Sequence, residues 1–272
     1  QRINYFNYMN RLSLKTITSQ KNLKKITCLT AYTSSIAKII DKHVDIILIG
    51  DSVGTVIYGM KNTQDVTLDM MMAHGKAVVN SSKRAFTVID MPYRTYTNNK
   101  EALSNARKLL RFTNCQSVKL EANNNNISII RHLVKNKVKV ISHIGVTPQD
   151  YKNFNKIRSV GNTIGERDKI LNLAIDLEKA GSSMIVLECM KENLAKEISK
   201  KLKIPTIGIG ASLECDGQVL VTNDILETQG LIAKPKFVKS YVKLNDVIEK
   251  AVKKYCLEVI NKKFPKRHNT YF

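Results

Sequence analysis

Six short apolar runs in this chain each lead into a residue able to do chemistry. Ile46 to Gly50 leads to Asp51, Phe86 to Ile89 to Asp90, and Val118 to Leu120 to Glu121. Val138 to Ser142 leads to His143, Met184 to Leu187 to Glu188, and Ile26 to Ala31 to Tyr32. Such runs read as parallel strands buried on both faces. Parallel strands closed into a barrel present their C-terminal ends at one mouth, so residues remote in sequence meet there. Carboxylates gathered at one mouth repel each other. A divalent cation is the simplest group that would hold them together.

The spacing predicts strands over 26–32, 46–51, 86–90, 117–121, 138–143, 184–188, 205–209 and 218–222. Helical periodicity falls between them, over 34–42, 68–82, 100–112, 127–135, 167–180 and 191–202. Eight strands alternating with helices predict an α/β fold with a parallel sheet, a (β/α)8 barrel. The chain's 272 residues suffice, since such a barrel takes about 250. Three segments follow: a basic N-terminal stretch over 1–25, the barrel over 26–243, and a C-terminal helix and tail over 244–272. The first acidic residue is Asp41. The N-terminal stretch therefore reads either as a helix packed outside the barrel on Leu12, Leu14 and Ile17, or as the residue of an organellar transit peptide.

Charge raises a different possibility. Lys and Arg number 44 against 23 Asp and Glu, a net charge of +21. Nucleic acid is the natural suspicion. The lysines are spread along the chain and no nucleic-acid motif accompanies them, which favours a solvated surface. Five scattered cysteines without CxxC spacing argue against disulfides or a zinc site. No apolar stretch nears the roughly 18 residues that span a bilayer. The expectation is a soluble protein, cytoplasmic or mitochondrial.

The motifs sharpen the barrel reading. Gly50-Asp51-Ser52-Val53-Gly54 delivers a carboxylate and a hydroxyl to the mouth between two glycines. Asp90-Met91-Pro92-Tyr93 is a strand-end carboxylate followed by a turn. In Val118-Lys119-Leu120-Glu121, alternation puts Lys119 and Glu121 on one face, pointing into the barrel. A buried Lys needs anionic company. An internal Lys119–Glu121 pair that merely fills the barrel is the competing explanation. Glu188 is a better candidate than Cys189, because nothing nearby in sequence activates the thiol. Gly208-Ile209-Gly210 lacks the helix-opening half of a dinucleotide fingerprint.

Taken in order, several segments resemble the ketopantoate hydroxymethyltransferase family. They are the four-residue and five-residue motifs above, Ala31-Tyr32, His143-Ile144-Gly145-Val146-Thr147-Pro148-Gln149, Val186-Leu187-Glu188-Cys189, Gly208-Ile209-Gly210-Ala211 and Asp216-Gly217-Gln218-Val219-Leu220-Val221. The resemblance runs from about Leu12 to Lys239. It implies a TIM barrel of the phosphoenolpyruvate-binding type. It also implies transfer of a hydroxymethyl group from 5,10-methylenetetrahydrofolate to 3-methyl-2-oxobutanoate, giving ketopantoate through a Mg2+-stabilised enolate. By the same resemblance Asp51, Ser52, Asp90, Lys119 and His143 line the substrate site. Asp51 and Asp90 bind Mg2+ with Glu121 beside it, and Glu188 is the catalytic base. A homo-oligomer, a decamer by analogy, is implied too, with a small 2-keto acid and folate as partners.

Three positions depart from the family pattern. Thr33 replaces an Asp, the loop over 155–162 keeps little beyond Gly161, and Ser212 replaces a Gly. All three fall in loops expected to shape folate access. Two other readings stand beside this one. One is a Mg2+-dependent lyase or mutase of the phosphoenolpyruvate-binding barrels. The other is a catalytically silent basic barrel that binds nucleic acid.

Overall fold

The computed structural model describes residues 11–152, 157–228 and 235–271. Eight parallel strands close into a barrel in sequence order. They are β1 Ile26–Thr30, β2 Ile46–Ile49, β3 Phe86–Asp90, β4 Ser117–Glu121, β5 Val140–Gly145, β6 Met184–Glu188, β7 Thr206–Ile209 and β8 Gly217–Leu220. Before and between them run α1 Leu14–Thr18, α2 Ser34–Ile40, α3 Val53–Val56, α4 Leu68–Ser81, α5 Asn99–Thr113, α6 Ile127–Lys135, α7 Ile164–Lys179 and α8 Glu192–Lys201.

Strand alternation sorts the apolar residues into two cores. Register aligns Cys28 with Ile46 and Ile46 with Phe86, so these side chains share the inner face. With Leu48, Val88, Ile141, Met184, Val186, Ile207 and Val219 they fill the barrel. The intervening Ile47, Ile49, Ile89, Val118, Leu120, Ile144, Ile185 and Leu187 pack outward under the helices. Each such side chain, fully buried, contributes about 1.5–3 kcal/mol. That explains why the strands read as unbroken apolar runs: both faces are covered.

The N-terminal helix does more than lie outside the barrel. Ile17 of α1 is fully buried and belongs to the inner core, with Leu12 and Leu14 packed against it. It plugs the base of the barrel. Residues 1–10, where part of the transit-peptide reading falls, lie outside the described residues.

Some element bounds differ from the spacing-based ones, for local reasons. β5 starts at Val140 because the Val138 N–H is still bonded to the Leu133 carbonyl, in the turn that ends α6. α7 starts at Ile164 because the Thr163 side chain accepts from the Glu166 N–H. Ile164 is 80% exposed, so apolar periodicity could not mark that first turn.

The chain divides into two compact units after Val221. The second unit holds α9 Thr222–Ile225 and α10 Leu244–Ile260. α10 has the expected amphipathic pattern, with Val247, Ile248, Val252, Leu257 and Ile260 all exposed. No helix among the described residues is long and apolar enough to cross a membrane. The five cysteines are free.

Candidate active site

The strand ends place the reactive residues at one mouth. Asp51 follows β2, Asp90 ends β3, Glu121 ends β4, His143 lies in β5 and Glu188 ends β6. Register sets Lys119 beside Asp90, Glu121 beside His143, and Gly145 beside Glu188. Gly145 has φ +105°, and a Cβ there would lie 2.2 Å from the Glu188 carbonyl oxygen. Only glycine permits this close approach of β5 to the Glu188 backbone.

Lys119 and Glu121 both point inward and are buried, as alternation requires. They do not pair with each other alone. Lys119 Nζ is 2.9 Å from Asp90 Oδ1, and the Asp51 N–H donates to Asp90 Oδ2 at 3.0 Å. Both Glu121 oxygens lie 3.2 Å from the Gln149 main-chain nitrogen, which donates to them. Glu188 Oε2 is 3.1 Å from His143 Nε2, and Glu121 Oε1 is 3.8 Å from His143 Nδ1. Ser52 Oγ and the Tyr32 hydroxyl are 2.7 Å apart.

Burial sets the electrostatics of this cluster. It pushes the Asp90 carboxyl up to about 7; the Asp51 charge adds to this and Lys119 opposes it. It pushes the Glu121 carboxyl well above its ordinary value, again with Asp51 adding. Burial would lower the Lys119 ammonium, but Asp90, Asp51 and Glu121 around it raise it further than that, so it stays charged. His143 is held below its ordinary value by burial and then by Lys119, which keeps the ring neutral. Burial lifts the Cys189 thiol to about 12, with Glu188 adding, so it is a poor nucleophile.

The donor set fits a hard divalent cation. Asp90 Oδ1 is buried and makes no aligned hydrogen bond, only the ion pair with Lys119. Neither His143 ring nitrogen has an aligned partner either. Two aspartates on adjacent strands offer the carboxylate oxygens that Mg2+ takes while keeping several waters. Among the described residues no three His, Cys, Asp or Glu side chains are placed to hold a metal ion together. Glu121 is instead turned to the Gln149 N–H, beside the two aspartates rather than joined with them.

Sequence reasoning quoted Gln149 at the end of a motif without giving it a role, and passed over Tyr96. Gln149 is buried, and its Nε2 donates to Asp51 Oδ2 at 2.7 Å across 98 residues of chain. The Tyr96 hydroxyl donates to Gln149 Oε1 at 2.5 Å. The local signals were the motif from His143 to Gln149 and its Pro148, which opens a tight turn over Pro148–Asp150 straight after β5. Asp216, part of a flagged motif, lies at the opposite end of the barrel, just before β8. Thr33 caps α2, its side chain accepting from the Ile36 N–H. Ser212 is buried and donates to Glu192 Oε1 at 2.8 Å. Of the divergent loop, residues 153–156 lie outside the described residues; Val160 forms a β-bridge with Met190, next to Cys189.

Comparison with known proteins bears on this arrangement. Two solved structures share the fold at low identity. Phosphonopyruvate hydrolase in complex with oxalate and Mg2+ has a TM-score of 0.64 at 8% identity, covering 94% of this chain and 92% of that one. Phosphoenolpyruvate phosphomutase from Streptomyces platensis subsp. rosaceus has a TM-score of 0.62 at 9% identity, covering 92% and 88%. The chain therefore shares the (β/α)8 barrel fold of these two structures. The 3-methyl-2-oxobutanoate hydroxymethyltransferase of Pelagibacter ubique is 48% identical over 263 residues, 97% of this chain and 100% of that protein. The Rhizobium etli protein of the same name is 44% identical over 264 residues, 96% of each. The model of the ketopantoate hydroxymethyltransferase family matches residues 11–267. Matched over nearly its whole length, the chain belongs to the ketopantoate hydroxymethyltransferase family.

Proposed function

We propose that this chain transfers a hydroxymethyl group from 5,10-methylenetetrahydrofolate to 3-methyl-2-oxobutanoate, giving ketopantoate and tetrahydrofolate. The observation that carries this reading is the convergence of Asp51, Asp90, Lys119, Glu121, His143 and Glu188 at the mouth of a barrel in this family. Asp51 and Asp90 would hold Mg2+, which when bound supplies Lewis-acid stabilisation of charge on the keto oxygen.

The chain's own residues do the rest. The Lys119 ammonium, kept charged by its acidic neighbours, attracts the keto-acid anion. The Ser52 hydroxyl, held by Tyr32, offers a second polar contact to the substrate carboxylate. Glu188 takes the proton from C3. Its side chain is 18% exposed, more open than Glu121 at 8%, so a substrate can reach it. Water hydrolyses the methylene bridge of the folate, breaking both C–N bonds and protonating both nitrogens. The C3 carbanion adds to the carbonyl carbon of the formaldehyde so released, and the proton held by Glu188 passes to the new alkoxide. Neutral His143 lies beside the base, its Nε2 3.1 Å from Glu188 Oε2.

The reading is tested by turnover of 3-methyl-2-oxobutanoate with methylenetetrahydrofolate, with and without Mg2+. Metal-dependent formation of ketopantoate is the expected result. Binding of the keto acid without any one-carbon transfer would overturn it. A lyase or mutase would instead cleave or rearrange a keto acid without folate.

A further inference from the structure

Gln149 has no part in the scheme above, yet it touches the segments that follow β2 and β3 and the end of β4. Its side-chain Nε2 donates to Asp51 Oδ2 at 2.7 Å and to the Met91 carbonyl at 3.1 Å. Its Oε1 accepts from the Tyr96 hydroxyl at 2.5 Å. Its main-chain N–H faces both Glu121 oxygens, and its carbonyl accepts from Gln64 Nε2 at 2.7 Å. The residue is 3% exposed, and its backbone is fixed in the turn Pro148–Asp150. Thr147 Oγ1 donates to Asp150 Oδ2 at 2.6 Å across that turn.

Chemistry fixes which way round the amide sits. An ionised carboxylate and a main-chain carbonyl can only accept, so the NH2 group must face Asp51 and Met91. Both of its protons are then used, and Oε1 is left to face Tyr96. The Tyr96 hydroxyl donates there and holds the amide against a flip. A carboxylate otherwise turns freely about its last bond. With Oδ2 held by Gln149, the turn of the Asp51 carboxylate beside Asp90 is fixed.

We infer that Gln149 is a positioning residue that aims the Asp51 carboxylate, and that Tyr96 acts through Gln149 by keeping its amide the right way round. Together they set the affinity of the paired aspartates for a divalent cation. This rests on the reading of Asp51 and Asp90 as the Mg2+ site. Partners that orient a metal ligand are worth about 10- to 100-fold in metal affinity when removed.

The test is Mg2+ titration by calorimetry, in the presence of 3-methyl-2-oxobutanoate, on the full chain. It compares the wild type, Gln149→Met, Tyr96→Phe and the double variant, with a thermal melt of each. Gln149→Met is expected to weaken Mg2+ binding about 10- to 100-fold. Tyr96→Phe is expected to weaken it less. The double variant should match Gln149→Met alone, because the hydrogen-bonded path from the Tyr96 hydroxyl to Asp51 runs through the Gln149 amide. A folded Gln149→Met with wild-type Mg2+ affinity overturns the inference, and so does an additive double variant. Should Gln149→Met not fold, Tyr96→Phe decides alone: a lowered melting temperature with unchanged Mg2+ affinity marks both residues as structural. A wild type that binds no Mg2+ removes the metal reading and this inference with it, an outcome distinct from any variant result.

Discussion

At the base of the barrel, Asp216 Oδ2 accepts from Lys21 Nζ at 2.8 Å, from the Thr206 N–H at 2.8 Å and from the Thr206 hydroxyl at 3.1 Å. Asp45 accepts from the Thr27 N–H at 3.0 Å and its hydroxyl at 2.9 Å, with Arg84 beside it at 3.5 Å. Asp41 takes the N–H groups of Lys83, Arg84 and Ala85. At the mouth the same residue type is bonded far less completely. Asp90 keeps a buried oxygen with no aligned hydrogen bond, and Glu121 shares a single N–H between two oxygens. Both ends are acidic and buried. A carboxylate whose lone pairs are all used ties strands together. One left partly unused retains capacity for a ligand, and its protonation is easily shifted. In a barrel of this type the first belongs at the N-terminal end and the second at the C-terminal end.

That contrast is most exposed to failure at Glu188. Glu188→Gln keeps the shape but cannot take a proton. We expect exchange of the substrate C3 proton, followed by NMR in deuterated water, to fall by about 10²- to 10⁴-fold. Melting temperature should barely move. Exchange at the wild-type rate would place the base elsewhere, with His143 next in line.

The opposite pattern is expected at the base. Asp216→Ala strands the Lys21 ammonium, whose side chain is 9% exposed, and frees two donors of Thr206. The cost is about 3–5 kcal/mol of stability, read by denaturant titration. Activity per folded molecule should stay at the wild-type level. A drop in kcat without a drop in stability would erase the division between the two ends.

A smaller effect separates the ends by pH. The folded state raises the Glu121 pKa above its unfolded value, so the fold binds that proton more tightly than the unfolded chain does. The stabilisation is complete below about pH 4, the ordinary glutamate range, and is lost as pH rises through the folded value. Glu121→Gln has no such loss. In metal-free protein, the melting temperature of Glu121→Gln relative to wild type should therefore rise from pH 5 to pH 8. A difference that is flat or falls with pH contradicts the strained carboxylate.

Smallest of all is Thr33→Asp, which restores the family's residue beside the mouth. Thr33 already caps α2, and Asp caps as well or slightly better. Stability should change by no more than about 0.5 kcal/mol, in either kinetic or equilibrium unfolding. A large gain in turnover would show that this mouth position serves chemistry as well as folding.

Much of this could be read before any coordinates. Apolar runs located all eight strands, and period-two alternation turned Lys119 and Glu121 inward. The strand ends announced Asp51, Asp90, Glu121, His143 and Glu188 because a parallel barrel sends every such end to one place. What could not be read is which polar atoms meet. Gln149 looks like any turn residue until β5 is set across from β2, and Tyr96 carries no local mark at all. Asp45 and Asp51 flank the same strand and look alike in sequence. Only their partners, Thr27 for one and Gln149 for the other, separate a tie from a ligand.

The plug at the base has a consequence for how the chain comes to be folded. Lys21 meets Asp216, and Lys25 meets the carbonyls of Leu213 and Cys215, about as far apart as the chain of the barrel allows. β1 likewise finds one of its two neighbours only in β8. At a synthesis rate of about 5–20 residues per second, roughly 10–40 s separate the emergence of Ile17 from that of its last partners. During that interval the acid-free first segment has nowhere to dock and β1 has an open edge. Closure of the ring is a late, long-range event with a high loop-closure cost, and folding of this barrel is timed by the arrival of its eighth strand.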